Sequence, residues 1–379
     1  MKIRTLLTTT VMTALILCSA QAVLAVSSDG NYVYKDISGS GSSLAIKQVG
    51  ADNSTIYVAH GENDVATITQ VAQFPGTAGP VSGGTPGTAP GGDVSAAPGT
   101  SNTLNSVTLS YGHIGTPGTA DINTTASNNR ANVTQDGVYN QVDYSYDAQG
   151  SNHNNLTVNQ GGVGNVLTGN TAGTYNSTKV TQSGSNNVGA LQQLGDGNTA
   201  TVSQEGSSNS AAVIQGDRVF SSTPGLSAVA LSHNDIATIG QNGEANIARV
   251  ENLGTSNSNS AIHQTGDSNY AEATLQSGTR DLMHVYQTGN KNSATESVVG
   301  SANNATIYQS GNSNTANIVQ QGNYDVASIS QAGNGNVASV AQYGSYDTAK
   351  IIETGNVTHE VSITQNGSHM NQTINIKGK

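Results

Sequence analysis

The chain has no tryptophan, 2 phenylalanines and a single cysteine among 379 residues. Aromatic residues make up 4% and charged residues 10%, so a compact core of large side chains cannot be assembled. The same scarcity removes the clustered acids and bases of an ordinary catalytic surface. One cysteine, Cys18, permits no internal disulfide, so no covalent staple is expected. Basic residues number 13 against 24 acidic ones, which argues against nucleic acid and against anionic membrane surfaces as partners. Gly, Asn, Ser, Thr, Gln and Ala fill the space instead. Two physical states suit such a composition: disorder, or a backbone-rich stack of strands that needs little apolar volume.

The N-terminus reads as a secretory signal. Lys2 and Arg4 precede an apolar run centred on Val11–Leu17, and small residues follow at Ala20, Ala22 and Ala25. The run is too short to span a membrane, and no second one exists, so no membrane insertion is expected. Leu17 is too bulky before Cys18 for a lipid-anchor signal. Cleavage after Ala22 or Ala25 removes Cys18, Lys2 and Arg4, leaving a formal charge of −13 on the exported chain.

A repeat decides between disorder and stacking. Gln276, Gln287, Val298, Gln309, Gln320, Gln331, Gln342 and Glu353 follow one another at steps of 11 residues. Two positions after each comes glycine: Gly278, Gly289, Gly300, Gly311, Gly322, Gly333, Gly344 and Gly355. Five positions after the Gln slot comes Asn or Asp, including Asp281, Asn292, Asn303, Asn314, Asp325, Asn336 and Asp347. Ala then Ile or Val usually follow, giving the unit Q-x-G-x-x-N-x-A-x-I-x. The step recurs through Gln160, Thr171, Gln182, Gln193, Gln204 and Gln215, through Gln241, Asn252 and Gln264 with an extra residue in places, and near the N-terminus at Gln48, Ala59 and Gln70. A fixed short period means a solenoid.

Within N-x-A-x-I-x-Q the fixed residues alternate, so they share one face of a β-strand, as Asn303, Ala305, Ile307 and Gln309 do. The x-G-x-x segment turns the chain, with glycine supplying positive φ. Small aliphatics in the middle of the face let two strand layers approach closely. Asn and Gln at its ends carry donors and acceptors that can bond to copies of themselves along a stack. The expected structural ladder is Gln276, Gln287, Gln309, Gln320, Gln331 and Gln342 with Asn292, Asn303, Asn314 and Asn336. All 7 prolines (75, 80, 86, 90, 98, 117 and 224) fall outside the repeats, as strands demand.

A second period doubles the first. Alternate units read G-N-x-N at Gly289, Gly311 and Gly333, and Tyr324 and Tyr346, like Tyr286 and Tyr308, stand 22 apart. The expectation is an all-β, amyloid-like solenoid of strand–arc–strand coils, about 22 residues per coil, with two different arcs. Its organisation reads as a signal over 1–25, a non-repeat segment over 26–43, repeats over 44–70, a Gly/Pro/Thr-rich insertion over 71–128, repeats over 129–216, a short insertion over 217–232, and repeats with a C-terminal cap over 233–379.

Q-x-G-x-x-N-x-A-x-x-x-Q resembles the repeat core of the curlin family, the subunits of bacterial curli amyloid fibres. Gln309-Ser-Gly311-Asn-Ser-Asn314-Thr-Ala316-Asn-Ile-Val-Gln320 fits it at every fixed place, as does Gln331-Ala-Gly333-Asn-Gly-Asn336-Val-Ala338-Ser-Val-Ala-Gln342. The resemblance implies a secreted, cell-surface fibre protein that polymerises with copies of itself. It also implies export through an outer-membrane pore, a nucleator subunit as partner, and a role in surface adhesion and biofilm matrix. This chain departs from the family: a typical curlin repeat alternates a Ser-led with an Asn-led half, whereas both halves here lead with Asn or Asp. It is also longer than a standard subunit and carries insertions. A nucleator, an accessory protein or a monomeric adhesin is therefore the alternative role.

No catalytic, cofactor-binding or metal-binding residue emerges. The eight histidines (60, 113, 153, 233, 263, 284, 359 and 369) show neither a shared slot nor an H-x-x-x-H pair. The glycine-and-aspartate nonapeptide of calcium β-rolls is absent. A catalytic solenoid would need basic and acidic side chains gathered on one outer face, and the basic residues here are scattered. An ice-binding face would need a flat threonine array, which the mixed outward slots lack.

Overall fold

The computed structural model describes residues 21–26, 32–37, 43–49, 54–59, 63–71, 106–111, 127–146, 151–220, 227–356 and 360–378. The hydrophobic core of the expected signal, Cys18, all 7 prolines, and His60, His113 and His359 lie outside them.

Successive strands alternate between two parallel sheets of 14 strands each, and each strand pairs with the strand two places along the chain except across 217–233, where Thr199–Ser207 pairs with Ile236–Glu244 and Ser210–Gln215 with Ile247–Leu253. One coil therefore consists of two strands and two arcs. In sheet 1 the strand Asn304–Ser310 pairs with Val326–Ala332, placing Ile307 on Ile329 and Gln309 on Gln331. In sheet 2 Thr315–Asn323 pairs with Val337–Ser345, placing Ala316 on Ala338 and Gln320 on Gln342. Like stacks on like because each coil repeats the chemistry of the one before. Most coils advance 22 residues, and several advance 23, as between Gln264 and Gln287.

The two sheets face each other across a thin core. Along Asn304–Ser310 and Val326–Ala332 burial alternates, with Ala305 and Ile307 wholly covered and Ala327 and Ile329 above them equally so. Each buried Ile or Val contributes roughly 1.5–3 kcal/mol, and Ala beside it keeps the layers close. Tyr144 and Tyr146 are the large exceptions, packed edge to face at 5.7 Å within the core.

Across both insertions the column continues at its next place. Gln70 is followed in its column by Gln135, and Gln204 by Gln241. The stretch 71–128 is not wholly an insertion, however: Ser106–Tyr111 lies in sheet 2 between Ser54–Ala59 and Gln141–Tyr146. Its S-V-T-L-S-Y alternation suits a strand, but no Gln-x-Gly arc follows to announce it. The segment 26–43 likewise supplies a sheet strand, Tyr32–Ile37, paired with Ser54–Ala59. Gln21–Val26, which straddles the expected cleavage positions, pairs with Ser43–Val49. In the second insertion Asp217–Phe220 and Ser227–Ala230 form an antiparallel hairpin. The arc resumes earlier than expected, at Ser232, which stacks on Gly195.

Candidate functional site

The side chains that repeat in the sequence form continuous columns along the solenoid. In sheet 1 the amide Nε2 of each Gln donates to the side-chain oxygen of the next. The column runs unbroken through Gln70, Gln135, Gln160, Gln182, Gln204, Gln241, Gln264, Gln287, Gln309, Gln331 and Glu353, at 2.8–3.0 Å throughout. The second amide hydrogen turns inward across the arc: Gln309 donates to the Ser293 carbonyl at 3.0 Å and Gln331 to Thr315 at 3.1 Å. One side chain thus ties two coils and one arc, and it is fully buried.

Sheet 2 carries a second Gln column with a gap. Gln193 donates to Gln215, Gln320 to Gln342 and Gln342 to Gln365, at 3.0, 2.9 and 2.8 Å. Between Gln215 and Gln320 the same slot holds Asn252, Leu275 and Val298. The single 11-residue register of the sequence is thus shared alternately between the sheets. Gln276 is the exception and corrects the sequence reading. Leu275 occupies its slot, and Gln276 lies exposed one position further on, paired in register with Val299. The step from Leu275 to Gln287 contains an extra residue, so counting backwards in elevens from Gln287 lands one place late.

The arcs have their own columns. In the arcs leading into sheet 2, Asn292, Asn314 and Asn336 stack directly. Asn314 Nδ2 donates to Asn292 Oδ1 at 3.1 Å and to the Gly333 carbonyl at 2.8 Å, while its own Oδ1 accepts the Asn336 backbone amide at 3.0 Å. In the arcs leading into sheet 1 the column mixes Asn, Asp and Ser. Asn303 there donates to the Gly322 carbonyl and accepts the Asp325 amide, both at 3.0 Å. The two arcs are chemically distinct, as the doubled period implies.

The arc glycines are required by contact as much as by conformation. Gly311 has φ 112°, and a methyl group on it would collide with the carbonyl of Gly333. Gly289, Gly300, Gly322, Gly333 and Gly344 meet the next coil in the same way. Gly278 differs from the sequence expectation: it does not adopt positive φ, and Ser277 does, at 53°. Its Cα still faces the Gly300 carbonyl too closely for a side chain. Further positive-φ positions in the arcs are not glycine at all, among them Lys291, Ala302, Tyr324 and Tyr346.

Three features escaped the sequence reading. Exposed rings stack along the axis: His263 on Tyr286 on Tyr308, and Tyr324 on Tyr346 on His369, with Tyr–Tyr centroids 4.9 and 4.8 Å apart. The Tyr pairs spaced by 22 were the available signal. Tyr144 fills the core beside the Gln column, its hydroxyl bonded to Thr171 at 2.6 Å and Thr178 at 3.0 Å, and burial raises its phenol above the ordinary value. Glu296 occupies an apolar slot of sheet 2, between Ala273 and Ile318. It is 1% exposed, neither oxygen makes a hydrogen bond of ordinary geometry, and burial pushes its carboxyl well up.

These columns join one coil to the next. Among the described residues no three metal-binding side chains converge. A family description, the curlin associated repeat, matches residues 173–206, 195–216 and 311–344. No curated protein sequence matches the chain. The matched stretches contain Gln182, Gln193, Gln204 and Gln215, and Gln320, Gln331 and Gln342, all members of the buried Gln columns. Repeat, column and coil coincide: over these stretches the chain carries the curlin associated repeat.

Proposed function

We propose that the exported chain is a structural subunit that adds end to end, copy upon copy, into curli-like fibres serving surface adhesion and biofilm matrix. The observation that carries this reading is the open edge of the stack. Asn371–Lys377 ends the order of sheet 1 and Glu360–Ser368 that of sheet 2, each paired on one side only among the described residues. An unpaired parallel strand offers a row of backbone donors and acceptors to another chain. With the signal removed, the opposite end of the stack offers Tyr32–Ile37 and Ser43–Val49, strands of the same kind. A second copy therefore satisfies an edge with the same hydrogen bonds that join coils within the chain. A nucleator would supply the first edge, and an outer-membrane pore the route out.

The purified chain is expected to form thioflavin-positive, detergent-resistant fibres. Adding preformed fibre ends should abolish the lag. A chain that stays a soluble monomer at high concentration, even when seeded, overturns this proposal and favours a monomeric adhesin.

A further inference from the structure

In the arcs leading into sheet 1, an Asn side chain makes two bonds to the next coil. Asn303 shows the pattern: Oδ1 accepts the Asp325 amide, and Nδ2 donates to the Gly322 carbonyl. Asp281, Asp325 and Asp347 occupy the same column and keep the first bond. Their Oδ1 atoms accept the amides of Asn303, Asp347 and Met370, each at 2.9 Å. The second bond is missing. Each Oδ2 is buried and without a hydrogen-bond partner. It takes the place of the Asn Nδ2, against the glycine that touches the next coil: a methyl on Gly322 would lie 2.8 Å from Asp325 Oδ2 and one on Gly344 would lie 3.0 Å from Asp347 Oδ2, each beside the carbonyl of the following glycine. Asp281 is placed likewise between Gly278 and Gly300. Where Asn sets a donor against that carbonyl, a carboxylate sets an acceptor against an acceptor.

We infer that Asp281 and Asp325 close their arcs as neutral acids, each donating a carboxyl proton from Oδ2 to the carbonyl of Gly300 or Gly344, so that the C-terminal half of the solenoid is locked by protons. The proton is taken from solvent as the coil closes and returned when it opens. No bond other than the hydrogen bond is made.

Asp235 supplies the contrast within the same column. Its Oδ2 accepts the Thr255 hydroxyl at 2.5 Å and its Oδ1 the Ser258 amide at 2.9 Å. Thr255 stands where the following coils have Gly278 and Gly300. A hydroxyl donor therefore accompanies the acid in that coil and is replaced by glycine beside the three others. The charged groups that bear on the lock are acids: Asp235 on Asp281, and Asp347 on Asp325. Arg280, next to Asp281, is exposed and, among the described residues, forms no ion pair. Burial, the larger cause, and these acids act in one direction, lifting Asp281 to about 6 and raising Asp325.

The sign follows. The folded state binds protons that the unfolded chain has released, so folding strengthens as pH falls through the folded value and levels off below the ordinary value of 3.8. Asp281 alone should change the folding constant about tenfold between pH 8 and pH 5.

The test is denaturant unfolding of the full chain, followed by circular dichroism at both pH values. A Glu296→Gln background removes one further buried acid, and the remaining buried acids, Asp64, Asp235, Asp347 and Glu353, are common to parent and variant and cancel in the comparison. The double change Asp281→Asn, Asp325→Asn should raise stability at pH 8 and shrink the pH 5 to pH 8 ratio at least tenfold. Changing the exposed Glu205, Glu244 and Glu360 to Gln should leave the ratio within threefold. Infrared difference spectra with labelled aspartate, parent minus double variant, should show a protonated carboxyl band at pH 5.5, the contributions of Asp64 and Asp235 being common to both. A double variant with the parent's pH ratio, an equal effect from the exposed set, or no protonated band in the difference spectrum each overturns the inference. The readout is unfolding, so the result does not depend on whether the chain polymerises.

Discussion

Gln331 donates its side-chain amide to Glu353 at 2.8 Å, and this contact ends the amide column of sheet 1. Beyond Glu353 the slot holds Ile376. Gln331 also accepts from Gln309 and donates to the Thr315 carbonyl, so one side chain serves three partners while itself buried. Gln331→Ala leaves those partners without it, at roughly 1–3 kcal/mol for each buried group left unpaired. Gln276→Ala, at an exposed position off the column, should change stability by no more than about 0.5 kcal/mol. Paired denaturation curves check both. Equal effects would remove the column from the account of stability.

Two glycines separate close contact from mere repetition. Gly311 has positive φ and faces the Gly333 carbonyl, whereas Gly161 has open space where a methyl would go. Gly311→Ala should cost more than about 1 kcal/mol, because the strained conformation and the collision act together. Gly161→Ala should be neutral or stabilise by a few tenths of a kcal/mol. The comparison uses thermal unfolding of the two variants beside the parent.

The insertion over 71–128 is expected to divide into removable and essential parts. Ser106–Tyr111 fills a place in sheet 2 between two other strands. Shortening 75–100 to a brief linker should leave the circular dichroism and the unfolding midpoint nearly unchanged, since closure entropy varies slowly with loop length. Deleting 101–126 removes the strand, exposes the edges of Ser54–Ala59 and Gln141–Tyr146, and should lower the midpoint and raise proteolysis near residue 60.

Much of this architecture was legible because each slot has a single chemistry. A buried amide that must bond to its copy can be little other than Gln or Asn, so Gln309, Gln331 and Asn314 repeat visibly. Positions with looser demands left no such trace. The Gln slot tolerates Leu275 and Val298 in sheet 2, which hid the extra residue before Gln287 and misplaced Gln276. The positive-φ position of the arcs accepts Lys, Ala, Ser or Tyr, so the sequence pointed to glycine alone. Ser106–Tyr111 alternates like any half-buried strand but lacks the arc that identifies a repeat. The buried Glu296 was invisible because nothing local separates it from an exposed acid.

Glu296 gives the sharpest test of how the core is read. Its column in sheet 2 runs Val250, Ala273, Glu296, Ile318 and Val340, so an acid stands where branched aliphatics belong. Burial holds the carboxyl well above its ordinary value of 4.5, and the Ile307 amide offsets only part of that. The buried form is therefore the neutral acid, which still lacks hydrogen bonds of ordinary geometry. Two costs are present: an unpaired polar group at all pH values, and proton uptake that grows as pH rises past the unfolded value. Stability should rise as pH falls through the folded value and flatten below about 4.5. Glu296→Val removes both costs and restores the aliphatic column. It should stabilise the chain by roughly 1–3 kcal/mol even in acid, and by more at neutral pH. Glu296→Gln removes only the ionisation: it should match the parent in acid and exceed it at neutral pH. Denaturation midpoints for the three proteins across pH 4 to 8 separate the contributions. Should Glu296→Val prove no more stable than the parent at any pH, the carboxyl is not seated in the apolar column.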